Sequence, residues 1–290
     1  MASPALPRSP SVAQALAEAR ALGIDRLDAQ MIVGAQLAQQ RAWLIAHDDA
    51  LLSASQADAA RAAFQRRAAG EPVAYLLGEK EFHGLRLEVD ANVLVPRPDT
   101  EVLVDWALEL LAARLLLPAS SDRPAPCVID LGTGSGAIAL AVKHDCPRAH
   151  VMATDASADA LAVARRNADR LGLDVGFAHG SWWSATRSDA RFDLILSNPP
   201  YIAGGDAHLA ALAHEPLLAL TPGGDGLDAL REIVGGAAAH LAPGGRLLLE
   251  HGYDQADAVA ALLRRQGFAA IETRLDLAGQ PRCTGAIGNV

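Results

Sequence analysis

The stretch Asp130-Leu-Gly-Thr-Gly-Ser-Gly-Ala137 decides the fold of this chain. It continues an apolar run at residues 127–131, CVIDL, that predicts a buried strand. Its three glycines let the backbone turn tightly and approach a ligand at the start of the next helix. A glycine-rich turn between a strand and a helix is typical of an open α/β sheet, which binds its ligand beyond the carboxyl ends of the strands.

The sequence after this loop alternates between apolar strands and helices. We predict strands at residues 127–131, 150–154, 174–178, 192–197, 246–250, about 268–274 and about 282–288. We predict helices at residues 135–145, 157–171, 227–241 and 254–266. This alternation predicts an α/β fold with a doubly wound, mostly parallel, Rossmann-like sheet of seven strands.

The sequence before the loop has a different, helical pattern. Ser11 and Asp25 are placed to cap two helices, and Ser53-Ala-Ser-Gln56 reads as a capping box for a third helix that ends near Gly70. We therefore expect a small helical domain at residues 11–78. A Pro- and Ser-rich tail at residues 1–10 precedes it, and we expect this tail to be disordered.

A short segment of alternating residues follows the helical pattern. After Phe82, apolar side chains recur at every second position at Leu85, Leu87 and Val89 and again at Val93 and Val95, with turn-forming residues at Asp90-Ala-Asn92 between them. We expect a β-hairpin at residues 79–96 that links the helical domain to a second domain at residues 97–290.

An acidic residue, Asp155, ends the strand that follows the glycine loop. A carboxylate at this position can accept hydrogen bonds from both hydroxyls of a ribose. Loop and acid together predict a cofactor that contains adenosine, without deciding which one. As GxGxxA the loop fits dinucleotide enzymes, and as DxGxGxG it fits enzymes that use S-adenosylmethionine (SAM).

The tetrapeptide Asn198-Pro-Pro-Tyr201 follows the strand at residues 192–197, beside the glycine loop. The two prolines lack an N–H group, so the segment presents carbonyl groups. The Asn198 amide oxygen and the Pro199 carbonyl can accept both hydrogens of a planar –NH₂ group, and Tyr201 can stack on its π face. Holding the nitrogen in this way directs its lone pair at an electrophile. Asn198, Pro199, Pro200 and Tyr201 therefore predict a SAM-dependent N-methyltransferase.

The tetrapeptide alone leaves three acceptors open: adenine in DNA, guanine or adenine in RNA, and the glutamine amide in protein. The chain has 25 basic and 34 acidic residues, a net charge of −9, which is unfavourable for binding a phosphate backbone. A SAM- or nucleotide-binding module without catalytic activity is the fourth possibility.

Composition limits the remaining classes. The apolar runs are broken by Arg or Pro well short of about 18 residues, so we expect no membrane span. The three cysteines lack CxxC spacing and the nine histidines lack the spacing of metal ligands, so we expect no metal site and a cytoplasmic protein.

Further motifs resemble the PrmC/HemK protein-glutamine methyltransferases, which modify the glutamine of the GGQ motif in bacterial peptide chain release factors. They are GEPVAYLLG at residues 70–78, VPRPDTE at 95–101, EPLLAL at 215–220, GLD at 226–228 and LEHG at 249–252. The resemblance covers residues 11–290. The Arg-Pro-Asp-Thr-Glu segment at 97–101 favours this family over the related PrmB-type enzymes, which methylate a glutamine of a large-subunit ribosomal protein.

The resemblance implies a role for each matching residue. The loop would hold the methionine end of SAM through Gly132, Thr133, Gly134, Ser135 and Gly136. Asp155 would bind the ribose, and Trp182, with the adjacent Trp183 as the alternative, would flank the adenine. Asn198 to Tyr201 would receive the glutamine, with Asn198 also beside the cofactor. Ser181 stands where the family commonly has an acidic residue. Arg97, Thr100 and Glu101 would border the mouth of the site.

The resemblance also implies the partners. Release factors would be the protein substrates, docked by the helical domain, and neither nucleic acid nor membrane would be bound directly. Methylation of a ribosomal-protein glutamine or of a nucleobase remains the alternative.

Overall fold

The computed structural model describes residues 9–116 and 125–288, so most of the expected disordered tail lies outside the described residues. The chain divides into two compact units, Met1–Glu79 and Lys80–Val290. None of the helices in the described part is both long enough and apolar enough to cross a membrane.

The first unit is helical. Its helices are α1 (Val12–Ala21), α2 (Arg26–Leu37), α3 (Arg41–Ala46), α4 (Ala54–Ala68) and α5 (Val73–Leu77). The capping boxes at Ser11 and Ser53 are both present, and Asp25 accepts a hydrogen bond from the Leu27 N–H at 2.7 Å, so the three predicted helix starts are confirmed. The short helices α3 and α5 were not predicted, because neither has a side-chain cap.

A β-hairpin is formed by β1 (Glu79–Phe82) and β2 (Leu85–Glu88). Its turn lies at His83 and Gly84, whose φ values are +49° and +76°. The predicted turn at Asp90-Ala-Asn92 is present, with the Val93 N–H donating to the Asp90 carbonyl at 3.2 Å, but it follows the hairpin and does not close it. The prediction of a strand through Val93 and Val95 is wrong. Both valines are buried without pairing in a sheet. The period-two pattern indicates that alternate side chains are buried, and an extended segment outside a sheet can bury alternate side chains as well.

The second unit contains the predicted sheet. After a 3₁₀ turn at Pro98–Thr100, its elements are α6 (Glu101–Leu116), β3 (Cys127–Leu131), α7 (Ala137–Asp145), β4 (His150–Asp155), α8 (Ala158–Leu171), β5 (Gly176–His179), β6 (Phe192–Ser197), α9 (Leu217–Leu220), α10 (Asp228–Ala237), β7 (Leu241–Glu250), α11 (Ala256–Arg265), β8 (Ala269–Leu275) and β9 (Pro281–Ile287). The strand order β5-β4-β3-β6-β7-β9-β8, with β9 antiparallel to both neighbours, confirms the seven-stranded, mostly parallel sheet.

One element boundary differs clearly from the prediction. The helix expected to continue to residue 241 ends at Ala237 and is followed by a 3₁₀ turn at Ala238–His240. Strand β7 then begins at Leu241, five residues earlier than predicted. Its register against β6 shifts between Phe192 and Leu194, and this irregularity accommodates the Pro-Gly-Gly segment inside the strand.

The sheet has its topological switch point between β3 and β6. The chain runs from β3 outward to β4 and β5, then returns to the other side of β3 for β6 and β7. Both faces are covered: Val128 packs with residues of α6 and α7, and Ile129 packs with residues of α10 and α11. The carboxyl ends of β3, β4 and β6 therefore meet at one edge, where α/β sheets bind ligands.

Candidate active site

A cavity of about 450 Å³ lies at this edge of the sheet. A volume in the range of about 300–1,000 Å³ is typical of small-molecule sites. The predicted site residues in its wall are Gly132, Thr133, Gly134, Ser135, Asp155, Trp182, Asn198 and Pro200.

The glycine loop has a backbone that other residues would strain. Gly132, Gly134 and Gly136 have φ values of +75°, +55° and +87°. A Cβ on Gly132 would lie 3.3 Å from the Trp182 ring, and one on Gly136 would lie 2.9 Å from Leu140 Cδ1. The loop therefore has no room for a side chain at Gly132 or Gly136, and Gly132 and Gly134 border the cavity with backbone alone.

Asp130 supports the loop from below. Its fully buried carboxylate accepts a hydrogen bond from Thr133 Oγ1 at 2.6 Å, and burial raises its pKa to about 7. Hydrogen bonds from the Thr133 hydroxyl and the Ala139 N–H lower this pKa and offset the effect of burial only in part. Asp130 therefore fixes Thr133 in the loop.

Asp155 ends β4 with its carboxylate in the cavity wall. Its Oδ2 accepts from the Gly134 N–H at 2.9 Å and its Oδ1 accepts from the Ser157 N–H at 2.8 Å. Burial raises its pKa, and the backbone N–H groups of Ser157 and Gly134 oppose that effect. A carboxylate has about four acceptor positions, so two hydroxyl groups can still be bound.

The two neighbouring tryptophans have different environments. Trp182 packs against Gly132 and lines the cavity. Trp183 instead stacks on His240, with ring centroids 4.7 Å apart, and its Nε1 donates to the Ile233 carbonyl at 3.2 Å. The structure thus brings Trp182, and not Trp183, to the cavity.

We expect Trp182→Ala to weaken SAM binding about tenfold with little change in melting temperature, because an aromatic wall of the cavity is lost. The matched variant Trp183→Ala should lower the free energy of unfolding by about 2 kcal/mol and leave SAM affinity nearly unchanged. Calorimetric titration and thermal melting measure both quantities. The reverse pattern would assign the cavity wall to Trp183.

Asn198 follows β6 and borders two cavities. One is the large cavity, and the other is a space of about 90 Å³ that Pro199 and Tyr201 also line. Asn198 Nδ2 donates to Thr100 Oγ1 at 3.2 Å. The amide nitrogen of Asn198 therefore faces Thr100 and its amide oxygen faces away. An oxygen in that position is available to accept a hydrogen bond from an –NH₂ group.

Tyr201 is anchored at both its backbone and its side chain. Its carbonyl accepts from Gln255 Nε2 at 3.0 Å, and its hydroxyl donates to Glu250 Oε1 at 3.4 Å. Burial, followed by the charge of Glu250, raises the pKa of this hydroxyl well above its ordinary value, so it stays protonated.

Gly226 allows the segment to pass close to a second loop. A Cβ on Gly226, which has a φ of +81°, would lie 2.3 Å from the Tyr201 carbonyl oxygen. We expect Gly226→Ala to reduce the free energy of unfolding by about 2–4 kcal/mol in urea titration. Gly235→Ala, in α10 with nothing near the new Cβ, is the matched control and should not destabilise. Equal stability of the two variants would contradict this packing.

The residues expected at the mouth separate into two groups. Arg97 and Thr100 line the large cavity, and Arg97 forms an ion pair with Glu215. Glu215 also accepts from the Val95 N–H at 3.0 Å. Glu101 instead accepts from the His83 N–H in the hairpin turn at 3.2 Å.

Sequence reasoning missed two buried acids in this region, Glu215 and Glu250. Both lie within quoted motifs, EPLLAL and LEHG, and this was the available signal. A buried carboxylate needs hydrogen-bond or charged partners, so an acidic residue inside an apolar stretch of sequence indicates a buried hydrogen-bond network.

Comparison with known proteins gives a consistent set of relatives. Family models match at residues 11–78, PrmC N-terminal domain, and at residues 104–227, methyltransferase small domain. The chain is 51% identical to a release factor glutamine methyltransferase of Bordetella pertussis, over 91% of this chain and 95% of the relative. It is 46% identical to one of Burkholderia pseudomallei, over 95% and 96%. A methyltransferase structure from Pyrococcus furiosus shares the fold, with a TM-score of 0.52, 19% identity and coverage of 71% and 90%.

Proposed function

The chain belongs to the release factor glutamine methyltransferase family, and from that premise we propose that it methylates the side-chain amide nitrogen, N5, of the glutamine in the GGQ motif of peptide chain release factors. The methyl donor in this proposal is SAM. The observation that carries it is the position of Asn198, which borders both the large cavity and the smaller one.

The residues of the large cavity fit SAM. Gly132 and Gly134 present backbone to the cavity, where the methionine end would bind, and the Asp155 carboxylate retains acceptor positions for the ribose hydroxyls. Trp182 supplies a flat apolar wall suited to adenine. When bound, SAM supplies a sulfonium-activated methyl group.

The residues at the end of β6 would hold the acceptor. The Asn198 amide oxygen and the Pro199 carbonyl accept the two hydrogens of the glutamine –NH₂ group, and both residues line the smaller cavity. An amide nitrogen is a poor nucleophile because its lone pair is delocalised. Fixed orientation and two hydrogen bonds lower the barrier by holding the lone pair toward the methyl donor.

We infer that the helical unit docks the release factor in the cytoplasm. A glutamine on a loop needs contacts outside the site for positioning. The net charge of −9 is unfavourable for binding the phosphate backbone of a nucleic acid, and we propose no membrane partner.

Acceptor competition tests the proposal. The enzyme and labelled SAM are incubated separately with a release factor, with the same factor carrying Gln→Ala in its GGQ motif, with a large-subunit ribosomal protein and with ribosomal RNA or DNA. We expect label in the unmodified release factor alone. Label in the ribosomal protein would establish the PrmB-type activity, and label in nucleic acid would establish nucleobase methylation.

A further inference from the structure

A buried acid stands behind the group proposed to hold the acceptor. Glu250 ends β7, which pairs with β6 so that Leu249 is opposite Ser197. The next residues, Glu250 and Asn198, therefore leave neighbouring strands side by side. Glu250 is 1% exposed, although a carboxylate in this position is costly unless hydrogen bonds stabilise it.

Thr100 connects Glu250 to Asn198. Its hydroxyl oxygen accepts from Asn198 Nδ2 at 3.2 Å, and its side chain also hydrogen-bonds the Glu250 carboxylate. The second buried oxygen of that carboxylate, Oε2, has no hydrogen-bond partner among the described residues. The carboxylate therefore depends on few donors, of which Thr100 and the Tyr201 hydroxyl are two.

A threonine hydroxyl has one hydrogen to donate. When Glu250 is ionised it only accepts, so Thr100 donates to it and offers a lone pair to Asn198. The amide of Asn198 must then turn its nitrogen to Thr100 and its oxygen away. When Glu250 is protonated it can donate to Thr100, whose own hydrogen becomes available to Asn198. Protonation therefore permits the orientation in which the amide oxygen faces Thr100 and the nitrogen takes the place of the oxygen at the acceptor site, an orientation that the ionised form excludes.

We propose that Glu250, acting through Thr100, is a positioning residue that selects the amide orientation in which Asn198 can hold the glutamine –NH₂ group. This inference rests on the proposed function of the same site. It assigns the ionised form of Glu250 to the active enzyme and the protonated form to an inactive one.

The charges around Glu250 place this switch near neutral pH. Burial raises its pKa most, and Asp99 raises it further, whereas hydrogen bonds from Thr100 and Tyr201 and the charge of Arg282 lower it. The result is a pKa of about 7. Cys283, opposite Glu250 on β9, has a thiol whose pKa is raised well above its ordinary value, so it adds no charge. Activity is therefore expected above this pH and lost as the pH falls through it.

Four variants separate positioning from packing. Thr100→Val removes the hydroxyl at nearly constant volume, and Thr100→Ser keeps it. Glu250→Gln keeps the size of the side chain and removes its titration. Thr284→Val is the matched control, since Thr284 is another buried threonine, whose hydroxyl instead contacts His251 Nε2 at 2.7 Å.

Three measurements are compared for each variant. They are kcat as a function of pH with a release factor as acceptor, the KM and calorimetric Kd for SAM, and the melting temperature. Thr100→Val and Glu250→Gln should each lower kcat about tenfold at pH 8 and abolish its fall below pH 7, with the Kd for SAM within about threefold of wild type. Thr100→Ser should restore most of kcat together with the acid limb. Thr284→Val should keep both.

The inference is overturned if Glu250→Gln retains the acid limb of the wild type, or if Thr100→Val matches Thr100→Ser in kcat. A loss of kcat that follows melting temperature across all four variants, Thr284→Val included, would also overturn it. If the wild-type enzyme transfers no methyl group to the release factor, the proposed function itself is wrong. If the wild type is active and the variants behave like it, only the positioning role of Glu250 is wrong.

Discussion

Replacing Asn198 by alanine should lower kcat by about a thousandfold, while the dissociation constant for SAM changes by less than about threefold. The amide of Asn198 accepts one of the two acceptor hydrogens in the proposed geometry, and alanine removes that group together with its orientation. The glycine loop and Asp155 remain, so the cofactor is still held. Single-turnover methyl transfer and calorimetric titration measure the two quantities on the same preparation.

Asn198→Asp is the informative companion to this variant. It keeps the size and an accepting oxygen, but an ionised aspartate has no N–H to donate to Thr100 Oγ1, the contact observed at 3.2 Å. We expect kcat between those of alanine and wild type. An Asn198→Ala enzyme within about tenfold of the wild-type rate would show that Asn198 does not hold the reacting nitrogen.

Replacing Asp155 by alanine should have the opposite signature: the dissociation constant for SAM should rise about a hundredfold, with a much smaller effect on kcat at saturating SAM. Hydrogen bonds to a charged group contribute about 1.5–3 kcal/mol each, so the loss of a ribose contact alone accounts for most of this change. The loop is affected too, because Asp155 also accepts from the Gly134 N–H at 2.9 Å.

Asp159→Ala is the matched control for this charge change. Asp159 lies in the first turn of α8, four residues after Asp155, and is exposed. Its removal changes the local charge equally without touching the cavity, so the affinity for SAM should stay within about twofold of the wild-type value. Similar affinities of the two variants would remove Asp155 from the cofactor site.

Much of the second unit was predictable because the chemistry is local. Three glycines with positive φ between a strand and a helix constrain the loop around Gly134, and two prolines constrain the segment after Asn198. The predicted hairpin extended too far, to residue 96 where the structure ends it at Glu88, because the burial of Val93 and Val95 has the same period as strand pairing.

The least predictable part of the site depends on contacts between distant residues. Thr100, Asn198 and Glu250 are separated by about a hundred and by fifty-two residues in the chain, and only the pairing of β6 with β7 and the 3₁₀ turn at Pro98–Thr100 bring them together. The sequence also does not decide which of Trp182 and Trp183 lines the cavity. Trp182 has a φ of +45°, a backbone conformation that the sequence does not indicate.

The most direct measurement of the central claim is tandem mass spectrometry of a purified release factor after incubation with the enzyme and SAM. We predict a gain of about 14 Da, one methyl group in place of a hydrogen, confined to the glutamine of the GGQ peptide and abolished by Asn198→Ala. An unchanged GGQ peptide, or a methyl group on any other residue, would contradict the claim.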